Sequence, residues 1–376
     1  MISTTTIASL LLCINTSIFG ISECLENQAH GYDIGLNHPM RVDKPERQSP
    51  IDILDMPVFE INTEREITSK TEYVKGSLTI YGVDEAITLT NAPLRMRGRG
   101  NGSWIVSEKK SYRIKFDKKT NLLGQGKGKA KSWTLLAIHN DKSLLRNEAA
   151  FYFASHLENI PFVSSSSFVE LYLNGEYRGV YEVCDQIQVH KARINIDETG
   201  AESNIAFLVE LDQIANDDVI EISSGDKFEI KSNYSDESQK KYIQQYMDNS
   251  FRSILTADKV AVEKWIDIPS AVDCYIVEEF MKNLDVGWGS FYFTKPKDGK
   301  LYFGPVWDFN LTAGNAEDSI QPSVLTSSFR SYKYTYVGNG SFWYKQQNLW
   351  FYALRQCPWF NEMVRERWKQ VRPFAE

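Results

Sequence analysis

Two carboxylates at the ends of a compact hairpin are the residues whose types and spacing best suit chemistry. Asp285 follows an amphipathic helical pattern and precedes a strand-like run at residues 290–295. A Lys-Asp-Gly turn at 297–299 then leads into a second run, 301–306, which delivers Asp308. This pattern predicts a hairpin that brings the two acids to one place. A single loop carboxylate is usually solvated, but a pair placed in this way favours a functional site.

Two chemistries use paired carboxylates of this kind. Protein kinases place a catalytic aspartate after a helix and a metal-holding aspartate after the following hairpin. Glycosidases also use two carboxylates, but they require a fixed separation that a sequence does not supply. The rest of the sequence has to decide between them, and its cationic segments favour a phosphate ligand.

A glycine-rich turn and a basic strand supply those cations. The turn holds three glycines within five residues, which are Gly98, Gly100 and Gly102, interleaved with Arg95, Arg97 and Arg99. Glycines let backbone amides approach an anion closely, although most such turns are simple hairpins. In the strand at 109–116, alternation places on one face Lys109, Ser111, Arg113 and Lys115. That face is either an ordinary polar surface or a phosphate-binding wall, and the strand by itself leaves both open.

The elements that must position these residues suggest a β-rich first half and an α-rich second half. The predicted strands are 58–62, 73–81, 86–90, 109–116, 133–137, 168–173, 177–183, 205–211 and 228–231, and the predicted helices are 141–157, 237–255, 263–282 and 360–372. Asn174-Gly175 between alternating runs predicts a tight hairpin. Asp267 and Pro269 mark the start of the helix that precedes Asp285. The fold class is therefore α+β, with a cleft between two parts.

One helix in the first half carries polar residues of interest. Asp141 is predicted to cap it, and Arg146 and Glu148 fall on or beside its polar side. A glutamate on such a helix can orient a phosphate-binding lysine, as in kinases. A solvated surface position is the simpler expectation for this glutamate.

Composition and the N-terminus limit the class of protein. A net charge of −7 argues against a nucleic-acid surface. Residues 1–22 are predicted to be a signal peptide, since their apolar run is short and broken, and residues 23–54 a polar linker or arm. We therefore expect a secreted, cell-surface or periplasmic protein with no integral membrane segment in the mature chain. The cysteines lack metal-ligand spacing, and Cys184 and Cys274 are expected to be buried thiols.

At this point the sequence resembles the CotH kinase family, the relatives of spore coat protein H. The stretches that carry the resemblance are RMRGRGNGSW, KKSYRIKF, WTLLAIHNDKSLLRNEAAFYFA, VELYLNGEYRGVYEVCDQI, FMKNLDVGWGSFYFTK and LYFGPVWDFNLTAGN. The LNGEYRGVY and GPVWDF segments are the most specific. The resemblance extends over roughly residues 56–372.

The resemblance implies a two-lobed, atypical protein-kinase-like fold at 55–376, with an N-lobe at about 55–233 and a C-lobe at about 234–376. It implies transfer of the γ-phosphoryl group of ATP, with Mg²⁺ or Mn²⁺, to Ser or Thr of coat or extracellular proteins. By position, Asp285 matches the catalytic acid and Asp308 the metal-binding acid. The glycine turn matches the nucleotide-covering loop, and its neighbour Arg97, with Lys109, Arg113 and Lys115, would supply the phosphate-binding cation. Asp185 lies near the implied adenine hinge, where the family commonly has Glu.

Two departures from the family pattern bear on activity. The family often reads WDFD, and here the last residue is Asn310. The second metal ligand of a kinase usually lies five residues after the catalytic Asp, and here that residue is Ser290. A catalytically weak or inactive kinase-like module for structure or adhesion is therefore the alternative. The chain also stops earlier than members of the family commonly do, which implies missing C-terminal helices.

Two N-glycosylation sequons overlap the predicted site. They begin at Asn101 and Asn310, beside the glycine turn and the second acid. A glycan at either would block the site. Either the host does not modify them, which favours a bacterium, or the site is assigned incorrectly. The oligomeric state is not predicted.

Overall fold

The first half of the chain forms a closed barrel of seven strands. The computed structural model describes residues 56–200, 204–283, 285–313, 315 and 348–375, and the predicted signal peptide and arm lie outside them. The barrel strands are β1 (Val58–Thr63), β2 (Val74–Tyr81), β3 (Ala92–Arg99), β4 (Ser111–Thr120), β5 (Ala130–Leu136), β6 (Ser166–Leu173) and β7 (Glu176–Asp185). Their order around the barrel is β1-β2-β3-β4-β5-β7-β6. Neighbours are antiparallel except β6 and β1, whose parallel pairing closes the barrel.

Alternation along these strands fills the barrel with apolar side chains. Leu94 and Met96 on β3 point inward with Ile114 and Phe116 on β4, and all four are buried. The intervening residues of both strands therefore face outward. Between β6 and β7, Asn174 and Gly175 have φ values of 53° and 80°, which confirms the tight hairpin that the Asn-Gly pair predicts. The strand expected at 86–90 is wrong, because a 3₁₀ turn stands there, at Glu85–Ile87, and β3 follows it.

The second half surrounds a five-stranded antiparallel sheet with helices. Its strands are β8 (Phe207–Leu211), β9 (Val219–Glu221), β10 (Lys227–Ile230), β11 (Phe291–Lys295) and β12 (Tyr302–Phe303), in the order β12-β11-β8-β10-β9. The α-helices within the described ranges are α1 (Gly102–Val106), α2 (Arg146–Ser155), α3 (Glu237–Leu255), α4 (Lys259–Glu263), α5 (Ile268–Met281), α6 (Leu349–Leu354) and α7 (Pro358–Val371). None of them is long and apolar enough to cross a membrane.

Two hydrophobic cores follow from this arrangement, and the α+β class is confirmed. One fills the barrel, and the other joins the sheet to α2 and to the helices of the second half. The sheet pairs β8 with β11, so Leu211 lies opposite Phe291. A division of the chain near residue 233 would separate these paired strands. Such long-range pairing leaves no mark on the local sequence pattern, and neither does barrel closure.

The cysteines of the described ranges are buried free thiols. Cys184, Cys274 and Cys357 form no disulfide there. This confirms the expectation for Cys184 and Cys274, whose apolar sequence surroundings indicated core positions.

Candidate active site

Helix α5 delivers Asp285 through a fixed helix end. The Asp267 carboxylate accepts the Ser270 N–H at 2.9 Å and caps the helix, as the sequence predicts. At the other end Lys282 adopts a left-handed conformation, with φ of 53°, and stops the helix. The Asn283 side chain then donates to Glu278 at 2.8 Å and accepts the Asp285 N–H at 3.1 Å. The backbone of Asp285 is therefore held by the helix that precedes it.

The Asp285 carboxyl group lies in a partly buried position beside a second acid. Burial, together with the negative charge of Asp308, raises the pKa of Asp285 from 3.8 to about 7. The two acids that the hairpin pattern predicts to be neighbours are thus close enough to influence each other. A carboxylate with a pKa near neutrality is suited to proton transfer.

Asp308 follows β12 and sits in an uncommon backbone conformation. Its φ is 65°, and that of Ser290 at the start of β11 is 57°, both in the left-handed region that non-glycine residues rarely adopt. The Ser290 hydroxyl donates to Asp308 Oδ2 at 3.5 Å. Burial raises the pKa of Asp308, and the charge of Glu210 adds to this, whereas Arg99 opposes it. Strained residues of this kind cluster at functional sites.

The residues around Asp308 are suited to a magnesium-type ion. Asn310 Oδ1 is buried and has no hydrogen-bond partner within the described residues. Together with Asp308 and Ser290 it offers oxygen atoms, which Mg²⁺ and Mn²⁺ prefer. The described ranges contain no group of three His, Cys, Asp or Glu side chains that could hold a metal. Mg²⁺ needs no such group, because one or two carboxylates and substrate phosphates usually suffice.

Three arginines lie on the outward side of β3 and β4, and we call them the arginine face: Arg97, Arg99 and Arg113. Arg99 lies over the Trp307 ring, with its guanidinium carbon 5.5 Å from the ring centre. Arg97 is paired in register with Arg113 on the neighbouring strand. Burial lowers the pKa of Arg113, and the charges of the other two lower it further. None of the three has an ion-pair partner among the described side chains, so the cluster favours an anionic ligand.

The two predicted lysines have other surroundings. Lys109 precedes β4, donates to the Val180 carbonyl oxygen at 2.5 Å and lies 4.7 Å from the centre of the Tyr181 ring. Burial lowers the pKa of Lys109. Lys115 lies on the outward side of β4 in register with Arg95. Arg97 with Arg113 and Arg95 with Lys115 are therefore successive cross-strand pairs on one face, whereas Lys109 contacts β7.

The three glycines of the turn differ in what they allow. A Cβ at Gly98 would lie 2.3 Å from the Trp104 ring, so close packing of that ring requires glycine. Gly100 has φ of 96°, which also favours glycine. Gly102 begins α1, and a Cβ there would meet nothing within 4 Å. The turn is thus packed by Trp104 at one end and open at the other.

Asp185 belongs to a buried ion pair. Its carboxylate forms a salt bridge with Arg193, with Oδ1 2.6 Å from Nη2. The Asp185 side chain is 1% exposed and the Arg193 side chain 0%. Ser165 donates to the same carboxylate through its hydroxyl, at 2.7 Å, and its N–H, at 3.1 Å. Arg193 also lies over Trp133, 4.4 Å from the ring centre. The Asp185 carboxylate is therefore occupied by protein groups, which leaves its predicted contact with adenine a prediction.

Helix α2 contributes residues whose role at the site sequence reasoning missed. Asn147 Oδ1 accepts the N–H of Phe309, the residue after Asp308, at 2.8 Å. Arg146 Nε donates to the Thr312 carbonyl oxygen at 3.0 Å. The expectation that Glu148 faces solvent is wrong, since it is partly buried and accepts a hydrogen bond from Ser166. Asn147 stands between two charged residues at the start of the helix, so the local sequence carried no signal for its contact with Phe309.

Asp141 precedes the helix by one turn rather than capping it directly. Its carboxylate accepts the N–H groups of Ser143, at 2.9 Å, and Arg146, at 2.8 Å, and it also forms an ion pair with the Arg146 side chain. Leu145 is the residue at the helix N-cap. The acid therefore orders the turn that leads into α2.

Comparison with known proteins agrees with this geometry. The family model described as CotH kinase protein matches residues 94–376, which include β3, α2, both acids and the arginine face. A search of curated proteins found no match. The matched segment is well over half of the chain and contains every element of the candidate site, so the chain belongs to the CotH kinase family.

Proposed function

We propose that the protein is a secreted, ATP- and metal-dependent protein kinase that transfers the γ-phosphoryl group to Ser or Thr of coat or extracellular proteins. The observation that supports this most directly is the pairing of Asp285 with Asp308. Burial and the second charge bring the pKa of Asp285 to about 7. A base of this pKa can accept a proton from a hydroxyl group near neutral pH.

The proposed reaction assigns a task to each described group. The acceptor hydroxyl oxygen bonds to the γ-phosphorus, the bond from that phosphorus to the β–γ bridging oxygen breaks, and ADP leaves. Asp285 takes the hydroxyl proton. Asp308, with the neutral oxygens of Asn310 and Ser290, would hold Mg²⁺ or Mn²⁺, which when bound supplies positive charge at the phosphate oxygens. The arginine face adds cations on the barrel side, where charge develops during transfer.

A kinase-like division into two lobes fits these assignments. In this proposal the barrel is the smaller lobe and carries the arginine face and the glycine turn over the nucleotide. The core that contains α5, β11 and β12 is the larger lobe and carries both acids. Arg99 lies against Trp307 and influences Asp308, so residues of both parts meet at one place. A ligand that bridges cations and acids would bind there.

Secretion by a bacterium is part of the proposal. The predicted signal peptide supports export, and the sequon at Asn101 lies on an exposed residue beside the glycine turn. A glycan there or at Asn310 would obstruct the nucleotide, so a host without N-glycosylation suits the function. N-terminal sequencing of protein collected from the culture medium tests this. A mature chain that begins near residue 23 is expected, and retention of residues 1–22 inside the cell would contradict it.

An inactive kinase-like module for structure or adhesion is the second candidate. The observation in its favour is that Asp308 is joined by two neutral residues, Asn310 and Ser290, where the family pattern often has an acid and kinases have an asparagine. Among the described residues no three-acid metal group exists. Fewer charges weaken metal binding, and weak metal binding lowers the rate of phosphoryl transfer.

Phosphotransfer and binding assays together separate the two candidates. Purified protein is incubated with γ-labelled ATP, Mg²⁺ or Mn²⁺ and a serine-rich acceptor, alongside Asp285→Asn. The kinase proposal predicts label in the acceptor or in the protein itself, and loss of that label in the variant. Thermal unfolding is measured with nucleotide and metal in parallel. Stabilisation without labelling supports the inactive module. The absence of both labelling and stabilisation would contradict nucleotide binding.

A further inference from the structure

The segment that follows Asp308 is held by the first turn of α2. Asn147 Oδ1 accepts the Phe309 N–H at 2.8 Å. Arg146 donates through Nε to the Thr312 carbonyl oxygen at 3.0 Å and through Nη2 to that of Ala313 at 3.4 Å. Two adjacent side chains of one helix thus satisfy three backbone groups in the five residues after the acid. Backbone groups buried without such partners would be costly.

The same two side chains are fixed from the other side. Asn147 Nδ2 donates to Glu182 Oε2 on β7 at 2.9 Å, and these side chains belong to residues that are 5% and 0% exposed. Arg146 is paired with Asp141 and contacts the Ser143 hydroxyl at 3.0 Å. The amide of Asn147 therefore connects a barrel strand directly to the backbone beside Asp308. With both ends occupied, it cannot turn over without losing both bonds.

Aromatic packing from the same helix adds to this hold. The Phe151 ring lies 5.6 Å from the Trp307 ring in a stacked arrangement, and 6.2 Å from the Phe309 ring in an edge-to-face arrangement. These two rings flank Asp308 in the sequence. The conformation of Asp308, with φ of 65°, is thus maintained by neighbours on either side that contact one helix. A strained residue persists only where its surroundings hold it in this way.

We propose that Arg146 and Asn147 are positioning residues that hold the Asp308 carboxylate in the orientation that binds the metal ion. Through Glu182, Asn147 also makes that orientation depend on how the barrel sits against α2. The inference rests on the proposed function, because it assumes that Asp308 ligates a metal. It adds to that function the residues that prepare the ligand. Partners that orient metal ligands typically contribute about 10- to 100-fold to metal affinity.

Mn²⁺ affinity of the full chain without nucleotide is the measurement that tests this. Asn147→Leu removes both hydrogen bonds of the amide, and we expect it to weaken Mn²⁺ binding about 10- to 100-fold, as followed by electron paramagnetic resonance or calorimetry. Glu182→Gln keeps an acceptor oxygen for Asn147, so its Mn²⁺ affinity should match that of wild type. Unchanged affinity in Asn147→Leu would overturn the proposal.

Asn159→Leu is the matched control for a purely structural effect. The Asn159 side chain donates through Nδ2 to Asp273 at 2.8 Å, and leucine removes this bond while keeping the backbone N–H bond to the same carboxylate at 3.2 Å. We expect this variant to lose stability in urea and to keep the Mn²⁺ affinity of wild type. Equal loss of Mn²⁺ binding in both Asn variants would show that general destabilisation, not positioning, is responsible, and would overturn the proposal.

A second variant covers the case in which Asn147→Leu does not fold. Arg146→Lys keeps the positive charge beside Asp141 but cannot reach the same set of carbonyl oxygens. It should weaken Mn²⁺ binding about tenfold, and wild-type affinity would overturn the proposal. If wild type itself binds neither Mn²⁺ nor nucleotide, the proposed function fails and the positioning role with it. If wild type binds Mn²⁺ and both variants do so equally well, only the positioning role fails.

Discussion

Glu278 provides a sensitive test of how the chain holds Asp285. Its carboxyl group is buried, being 2% exposed, and accepts a hydrogen bond from Asn283 at 2.8 Å. Asn283 in turn accepts the N–H of Asp285 at 3.1 Å. Burial raises the pKa of Glu278 from 4.5 to about 8, with only partial opposition from the Asn283 hydrogen bond. The carboxyl group is therefore neutral at pH 7 in the folded protein.

The raised pKa makes stability depend on pH with a definite sign. Between 4.5 and about 8 the folded protein retains a proton that the unfolded chain has released. The stability that the folded state gains from keeping Glu278 protonated is therefore complete below the unfolded-state pKa, declines as pH rises, and is lost above the folded-state pKa. At about 1.4 kcal/mol for each pKa unit, this interval corresponds to roughly 5 kcal/mol. That is a large part of the ~5–15 kcal/mol by which a typical domain is stable.

Urea unfolding of Glu278→Gln measures this contribution directly. Glutamine keeps an acceptor oxygen for Asn283 and cannot ionise, so the free energy of unfolding should fall less between about pH 5 and about pH 8.5 than in wild type. Glu263→Gln removes an exposed carboxylate that pairs with Lys259 on α4, and it should keep the wild-type pH dependence. If Glu278→Gln loses stability with rising pH as steeply as wild type does, the reasoning about this buried acid is wrong.

Three further predictions concern the site and its surroundings. Arg99→Ala should weaken nucleotide binding about 10- to 100-fold, which corresponds to the loss of one charged hydrogen bond. Arg95→Ala should leave nucleotide binding unchanged, because the Arg95 side chain approaches Asp117, at 3.9 Å. Calorimetry measures both affinities, and equal losses would contradict the prediction. Because the pKa of Asp285 is raised to about 7, the rate of phosphoryl transfer should increase through that pH and then level off, and a flat pH–rate profile would exclude Asp285 as the base. Arg193→Met should leave a buried charge at Asp185 unpaired and destabilise the fold by about 3–5 kcal/mol. Nucleotide affinity of the folded variant should be unchanged, and its selective loss in a stable variant would instead support adenine binding near Asp185.

Local features of the fold were predictable because they depend on neighbours in the chain. The Asn174-Gly175 pair specifies a turn with two positive φ values, and both residues have them. Asp267 and Pro269 mark the start of α5 because a carboxylate cap and a proline suit the first turn of a helix. Alternation along β3 and β4 predicts which side chains fill the barrel. Each of these signals acts over a few residues.

The candidate site was predictable in part for the same reason. Asp285 and Asp308 lie at the two ends of one hairpin, so their proximity follows from local pairing, and the resemblance of the flanking motifs points to the CotH kinase family, which the match over residues 94–376 confirms. The predicted assignment of Asp185 to adenine could not take account of Arg193, whose charge it meets only in the folded chain. Strand periodicity placed Arg113 and Lys115 on one face, but the cation that lies over Trp307 is Arg99, at the end of β3.

Tertiary structure alone decided how these parts are joined. The barrel closes through β1 and β6, more than a hundred positions apart, because both strands present matching hydrophobic faces and free edges. Asn147 reaches Phe309 across 162 positions, and Glu182 across 35. Such contacts depend on three-dimensional packing. A polar side chain on a helix can form hydrogen bonds with many different groups, and the local sequence does not determine which of them it meets. The sequence by itself determined the elements, the pair of acids and the family; only the folded chain determined that Arg99 lies beside Trp307 and that α2 holds the segment after Asp308.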